Sequence, residues 1–334
     1  MDKKISLTGI KPTGIPHLGN YFGAIRPALR LAEKYEARYF IADYHALNTI
    51  RNPQLLRDLT YEVAACWLAS GLDPQKMLFY RQSDIPEIFE LTTILTAFTP
   101  KGLMNRSHAY KAVIDANKEE GAEDIDYNVN MGLYTYPILM AADILMFDSD
   151  FVPVGKDQKQ HVEIAADLAQ KLNSNYKNRL FTIPEGVYDG TNETIIGLDG
   201  RKMSKSYDNT IPLFAPEKQL RKTIMRIITN SQEMAEPKDP DTCNVFSIYK
   251  LFADTEKQNV LAARYRAGGM GWGEAKQELF ETMNAFLSPM RAKYDELMAD
   301  KSKIDVALSI GAEKARELAS KKIEFLRKEI GIGK

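Results

Sequence analysis

The chain of 334 residues is poor in cysteine and histidine and has no long apolar run. Its two cysteines, Cys66 and Cys243, lie far apart, and neither has a CxxC or Cys/His neighbour. This spacing excludes a disulfide framework and a thiolate zinc or iron–sulfur site, and we expect no metal held by the protein's own side chains. No stretch reaches the ~18 apolar residues of a membrane helix. MDKKISLTG lacks the apolar core of a signal peptide, so we expect a cytoplasmic protein.

The chain also lacks a strong excess of either charge. It has 44 Lys and Arg residues against 45 Asp and Glu residues, which gives a formal net charge of -1. A nucleic-acid-binding domain more often carries a clear basic excess. Composition therefore favours an enzyme, and any RNA-binding site would be a local patch on a neutral protein.

Short strand-like runs alternate with helical patterns in the first half of the chain. Helical periodicity separates four runs that predict strands: KISLTGI, RYFIADYHA, KMLFYRQS and FVPVG. This alternation predicts an α/β fold, a Rossmann-like parallel-sheet nucleotide-binding domain over residues 1–210. Mostly helical segments predict an insertion at about 81–150. The strand patterns stop after 210, which predicts an all-helical C-terminal domain over 211–334.

The turn after the first predicted strand, KPTGIPHLGN, carries one histidine among prolines and glycines. His17 and Asn20 are three residues apart at the start of a helical pattern, so they face the same way. Both can donate hydrogen bonds to phosphate oxygens, while glycines let a ligand approach the backbone. Taken alone, a histidine that caps the turn explains this stretch better. The turn is not GxGxxG, so it does not support a dinucleotide site.

A second motif, KMSKS, occupies residues 202–206 between Gly200 and Asp208, which mark a flexible loop. Two ammonium groups and neighbouring hydroxyls on such a loop suit a leaving polyphosphate. A solvated basic loop would explain a bare KxSK, but the five-residue string is more specific.

HLGN early and KMSKS late resemble the two motifs of the class I aminoacyl-tRNA synthetases, and the resemblance covers essentially the full chain. Asn20 stands where many class I enzymes have a second histidine, a variant known in the tryptophan and tyrosine branch. The resemblance implies four catalytic residues, His17, Asn20, Lys202 and Lys205. It also implies ATP as a substrate with its Mg²⁺, tRNA as a partner, a homodimer formed through the insertion and anticodon recognition by the C-terminal helices.

The resemblance extends to the residues that would contact ATP. PVGKDQKQH is similar to the GxDQ loop of the family, which puts Gly155 and Asp157 at the ribose and Gln158 at the substrate's amino group. Lys11 stands where many relatives have glutamine, and it would pair with the substrate carboxylate. The implied ATP-binding residues are Lys11, Thr13, Gly19, Asn20, Gly155, Asp157, Lys202, Met203, Ser204 and Lys205.

The apolar segment around Met140 bears on the amino acid. Tyr136, Met140 and Asp143 are spaced so that one helix face presents all three. A buried acid needs a partner, and an indole N–H, which only donates, is a matching one. The sulfur of Met140 would make a favourable contact with an aromatic ring. From the residues alone, a core helix with a structural aspartate remains the alternative.

The segment resembles the amino-acid-binding helix of tryptophan-specific members, whereas tyrosine-specific members carry glutamine in place of Met140. The resemblance thus implies activation of L-tryptophan to tryptophanyl-adenylate and transfer to the 3′ end of tRNA(Trp). Three alternatives stay open: a tyrosyl-tRNA synthetase, a small-molecule nucleotidyltransferase and a non-catalytic RNA-binding relative. The implied tryptophan-binding residues are Leu7, His45, Tyr136, Met140, Asp143, Ile144, Val152, Val154 and Gln158.

Overall fold

A parallel sheet forms the centre of the N-terminal half. The computed structural model describes residues 3–155, 158–187 and 195–333. Within them, five strands pair in the order β3-β2-β1-β4-β5, all parallel. Their bounds are Ile5–Ile10 for β1, Glu36–Ile41 for β2, Leu78–Arg81 for β3, Phe151–Pro153 for β4 and Glu185–Val187 for β5. Strands β2 and β3 lie on one side of β1, and β4 and β5 lie on the other. Sheets of this kind bind ligands at the carboxyl ends of the strands where the order reverses, which here is between β1 and β4.

Both faces of the sheet are covered, and most residues of the central strands are buried for that reason. In β2, every residue after Glu36 is buried. On one face Tyr39 stacks on Trp67 with ring centres 4.7 Å apart, and on the other Phe40 stacks on Tyr80 at 5.7 Å. A strand buried on both faces has no alternation of buried and exposed residues, and the one charged residue of this buried run, Arg38, donates to the Phe147 carbonyl at 2.8 Å. The predicted α/β class with a parallel sheet is confirmed.

The helices before residue 210 follow the predicted alternation. A π-helix at Tyr21–Ile25 joins the first two into one continuous helical stretch. Five helices, α5 to α9, lie between β3 and β4, where the insertion is predicted. The bounds are α1 Leu18–Asn20, α2 Arg26–Leu31, α3 Asp43–Ala46, α4 Pro53–Ala69, α5 Glu87–Phe98, α6 Lys101–Met104, α7 His108–Glu119, α8 Met131–Tyr134, α9 Tyr136–Met146 and α10 Lys159–Tyr176.

Only helices form beyond residue 210 in the described chain, as the sequence predicts. They are α11 Glu217–Met225, α12 Asn244–Tyr249, α13 Thr255–Ala267, α14 Trp272–Ala299 and α15 Ser302–Ile330. None of the helices in the described residues is long and apolar enough to cross a bilayer.

The last helix returns to the sheet. A Cβ atom on Gly311 of α15 would lie 1.7 Å from the carbonyl oxygen of Phe79, so only glycine permits this close approach to β3. Ala315, Ala319 and Ile323 of α15 belong to the same buried cluster as Phe40 of β2. The core therefore crosses residue 210, and the division into domains 1–210 and 211–334 stays a prediction.

Candidate active site at the carboxyl ends of the strands

Two cavities lie at the carboxyl ends of β1 and β4. The first, about 980 Å³, is bounded by the turn after β1, by Gly155 after β4 and by residues 202–206, which we call the lysine loop. The second, about 310 Å³, is bounded by β1, β4 and α9 and contains Asp143. We call them the lysine cavity and the aspartate cavity. Lys11 lines both, so the two spaces meet at its side chain.

The turn after β1, residues 11–17, is fixed by its own helix start. His17 precedes α1 in an extended conformation, and its backbone N–H donates to Oδ1 of Asn20 at 3.0 Å. The amide oxygen of Asn20 thus caps the helix while the residue lines the lysine cavity. The imidazole of His17 is buried, and its Nδ1 has no hydrogen-bond partner among the described residues.

Backbone hydrogen bonds join this turn to the segment just beyond the lysine loop. Leu18 N–H donates to the Ile211 carbonyl at 3.0 Å, and Leu213 N–H donates to the Pro16 carbonyl at 3.0 Å. His17 and Pro212 form an antiparallel bridge between these bonds. Two motifs almost two hundred residues apart are therefore held side by side.

The lysine loop also touches the turn through a side chain. At Gly14 the φ angle is +152°, and a Cβ atom there would lie 2.5 Å from Nζ of Lys205. The backbone conformation favours glycine, and the absence of a side chain leaves room for the Lys205 ammonium. The ammonium of Lys205 therefore lies directly against the turn that carries His17.

Burial shapes the charge of this cavity. Burial and, as the smaller cause, the nearby Lys205 ammonium together lower the pKa of His17 to about 4. Burial likewise lowers the pKa of Lys205. His17 is therefore neutral at pH 7, so one of its ring nitrogens can donate a hydrogen bond and the other can accept one. An anion bound between these groups would offset the cost of their desolvation.

Asp143 is buried and already hydrogen-bonded in the aspartate cavity. Nε2 of Gln82 lies 2.9 Å from each carboxylate oxygen, and Nε2 of His45 lies 3.0 Å from Oδ2. Burial raises the pKa of Asp143, while the bonds from His45 and Gln82 oppose that rise. The carboxylate is thus held in one orientation by donors from two neighbouring strand ends.

Aromatic and polar groups line the rest of the aspartate cavity. The rings of Tyr136 and His45 meet edge to face with centres 4.6 Å apart, and Nζ of Lys11 lies 5.2 Å from the centre of the Tyr136 ring. The Tyr136 hydroxyl donates to Oε1 of Gln158 at 3.3 Å. The apolar walls are Leu7, Met140, Ile144, Val152 and Val154. Such a space suits a flat apolar group that carries one hydrogen-bond donor.

The structure brings the predicted residues together. All nine residues predicted to bind tryptophan line the aspartate cavity. Those predicted to bind ATP line the lysine cavity, except Asp157, which lies outside the described residues. Their individual roles stay predictions. Among the described residues, no three His, Cys, Asp or Glu side chains are placed to hold a metal ion.

Sequence reasoning missed Gln82. It directly follows β3, at the same edge of the sheet as His45 after β2. A polar residue at the end of a buried strand is the signal that would have pointed to it.

Comparison with known proteins gives one consistent result. Residues 2–288 match the model of a family described as tRNA synthetases class I (W and Y). A tryptophan–tRNA ligase of Neisseria meningitidis is 52% identical over 334 residues, which are 99% of each chain. One from Pseudomonas aeruginosa is 51% identical over 98% of this chain and 73% of that protein. The crystal structure of a Campylobacter jejuni tryptophanyl-tRNA synthetase complexed with ADP and tryptophan matches with a TM-score of 0.90 and 44% identity, over 98% of this chain and 100% of that one.

Proposed function

Since this chain belongs to the class I tRNA synthetases for tryptophan and tyrosine, it is an aminoacyl-tRNA ligase, and we propose that it activates L-tryptophan with ATP and transfers it to the 3′ end of tRNA(Trp). One observation carries the choice of amino acid. A fixed, buried carboxylate, Asp143, stands at the wall of an apolar cavity beside Met140. The indole N–H would donate to this carboxylate, and the rings would contact the methionine sulfur.

The same cavity disfavours tyrosine. Met140 offers no hydrogen bond where a phenol hydroxyl would need a second partner. A buried polar group left without its partner loses ~1–3 kcal/mol. Discrimination between the two amino acids thus follows from one polar group and one apolar neighbour.

The first half-reaction needs charge stabilisation rather than a base. The tryptophan carboxylate is ionised at pH 7 and attacks the α-phosphorus of ATP in line, which releases pyrophosphate and gives tryptophanyl-adenylate. Neutral His17 and the amide of Asn20 would donate to the phosphates. Lys202 and Lys205 would neutralise the leaving pyrophosphate. Mg²⁺ enters with ATP as part of the substrate and adds positive charge at the phosphates.

In the second half-reaction the terminal 2′-hydroxyl of the tRNA attacks the activated carbonyl and AMP leaves. We place this activity in the cytoplasm on the strength of its tRNA substrate. A homodimer through the insertion is part of the proposal, and it is supported by exposed apolar side chains there: Ile125, Tyr127 and Met131.

Amino-acid-dependent exchange of pyrophosphate into ATP tests the proposal. We expect exchange with tryptophan, none above background with tyrosine, and charging of a tRNA(Trp) transcript. Exchange with tyrosine alone would establish the tyrosine alternative. Nucleotidyl transfer to another small molecule without exchange would favour a nucleotidyltransferase, and no activity of either kind would favour the RNA-binding alternative.

A further inference from the structure

Asn209, just after the lysine loop, is a buried amide with three hydrogen bonds. Its Oδ1 accepts from the Ser204 N–H at 2.8 Å. Its Nδ2 donates to Oδ1 of Asp199 at 2.7 Å and to the Lys202 carbonyl at 3.1 Å. One side chain therefore holds the backbone of two loop residues and ties them to Asp199, three residues before the loop.

The surroundings leave Asn209 little freedom. It is only 2% exposed, and a Cβ atom on Gly197 would lie 2.4 Å from its Cγ. Its own carbonyl accepts from the Leu198 N–H at 2.9 Å. Buried polar groups are costly when they lose a partner, so the loop backbone is strongly biased to the position that satisfies this amide.

The segment that contains Asn209 continues to the turn after β1, which carries His17. Two residues after Asn209, the Ile211 carbonyl accepts from the Leu18 N–H beside His17. A short covalent path thus runs from the lysine loop, through the buried amide, to the other half of the phosphate site. We propose that Asn209 is a positioning residue that fixes Lys202 and Lys205 relative to His17, an inference that rests on the proposed function. It lines neither cavity, so it would act through the loop alone.

This role separates two measurable steps. In Asn209→Ala the lysine loop loses its anchor while Asp143 and its partners are unchanged. A displacement of about 1 Å can reduce a rate ~100-fold, so we expect exchange turnover to fall by ~10–100-fold. Tryptophan binding, measured by calorimetry without ATP, should stay within about twofold of the unsubstituted protein.

Asn173 provides a matched control. Its Oδ1 accepts from the N–H groups of Leu180 and Phe181, and its Nδ2 donates to the Phe181 carbonyl, all at 2.8–2.9 Å. It therefore makes the same number of hydrogen bonds as Asn209, and they anchor the loop that follows α10. Asn173 lines neither cavity. Asn173→Ala should lower the melting temperature to a similar degree and leave exchange turnover unchanged.

A swap of donor and acceptor tests the contact itself and does not rely on a truncated side chain. Asn209→Asp puts a carboxylate against Asp199 and should slow exchange. Combining it with Asp199→Asn restores a donor–acceptor pair at this position, and turnover should rise again above that of Asn209→Asp.

Three results would overturn the proposal while the unsubstituted protein exchanges normally. Equal turnover in the Asn209→Ala and Asn173→Ala variants would make Asn209 a stability residue only. A loss of tryptophan affinity in parallel with turnover would place the effect outside the loop, and a double variant no faster than Asn209→Asp would refute the contact. An unsubstituted protein without tryptophan-dependent exchange would instead refute the proposed function.

Discussion

The aspartate cavity and the lysine cavity meet at Lys11 but are built in opposite ways. Strands and two helices, α3 and α9, form most of the aspartate cavity, and its central carboxylate, Asp143, already has partners in Gln82 and His45. Connecting segments form much of the lysine cavity. No carboxylate of the described chain forms an ion pair with Lys202 or Lys205, so both ammonium groups are available to a bound anion.

The contrast teaches how selection and catalysis are divided. A ligand recognised by shape and one hydrogen bond is served by a rigid, internally bonded space. In the proposed reaction, charge that develops on the leaving pyrophosphate would be stabilised by cations whose loop backbone is held in place by hydrogen bonds. Substitutions in one cavity should therefore change affinity for the amino acid, and those in the other should change turnover.

The largest effect should come from removing one cation of the lysine cavity. Loss of a single group that stabilises developing charge typically lowers turnover by ~10²–10³-fold, and we expect this for Lys205→Ala in the exchange assay. Tryptophan affinity should be unchanged. Lys314→Ala, an exposed lysine of α15, is the control. If affinity fell as far as turnover, the division between the cavities would be lost.

Asp143→Ala should produce the opposite pattern. A hydrogen bond to a charged group contributes ~1.5–3 kcal/mol, so tryptophan affinity should fall by ~10–100-fold, while turnover at saturating tryptophan changes less. Calorimetric titration and exchange kinetics measure both quantities, with exposed Asp167→Ala as the control. Unchanged affinity would contradict the assigned role of Asp143.

Met140→Gln should sharpen the comparison within the aspartate cavity. The new amide offers a partner for a phenol hydroxyl and removes an apolar contact with indole. We expect the ratio of kcat/KM for tryptophan over tyrosine to fall ~10-fold, a shift typical of one altered pocket contact. Met234→Gln, at an exposed methionine outside both cavities, should leave the ratio unchanged.

Gln82→Met tests whether the preformed bonds matter. Without its two donated bonds, the pKa of buried Asp143 should rise further above its ordinary value, because burial already raises it. The sign follows: the carboxylate is lost at a higher pH, so tryptophan affinity should decline earlier as pH falls. At pH 7 we expect a decrease of ~2–10-fold, equivalent to one ordinary hydrogen bond. Titrations at several pH values would show identical profiles if Gln82 had no such role.

The smallest effect concerns the protonation of His17. Its pKa of about 4 lies below the ordinary value of 6.5, because burial favours the neutral imidazole. The contribution of His17 to folding stability is therefore present above pH 6.5 and is lost as pH falls toward 4. ATP should raise the pKa. NMR of the four histidine rings, assigned with His17→Asn, should show one ring neutral at pH 5.5 that titrates higher with ATP. A ring with an unshifted pKa would refute the burial argument.

Long apolar strands and local motifs were predictable because their signals lie in adjacent residues. Strands β1 to β3 and the motif residues illustrate this. Strand β5 was not predicted, since three residues with a central glycine carry no pattern and depend on pairing with Phe151.

The missed residues of the site depend on distant partners. Gln82 meets Asp143 across 61 positions, and its place at the end of a buried strand does not reveal that distant partner. Asn209 follows the motif closely, yet its burial against Gly197 arises only once the loop has folded back. The sequence predicted residues that line the two cavities and not the residues that hold them in place.

The contact between Gly311 and Phe79 has a consequence for how the protein is made. Helix α15, which is 29 residues long, packs Gly311 against the main chain of β3, an outer strand of the sheet. While that helix is still inside the ribosome, the main chain of β3 stands open as an unprotected edge. Chains stalled at residue 300 should therefore be cut near β3 by protease, while chains that contain α15 resist.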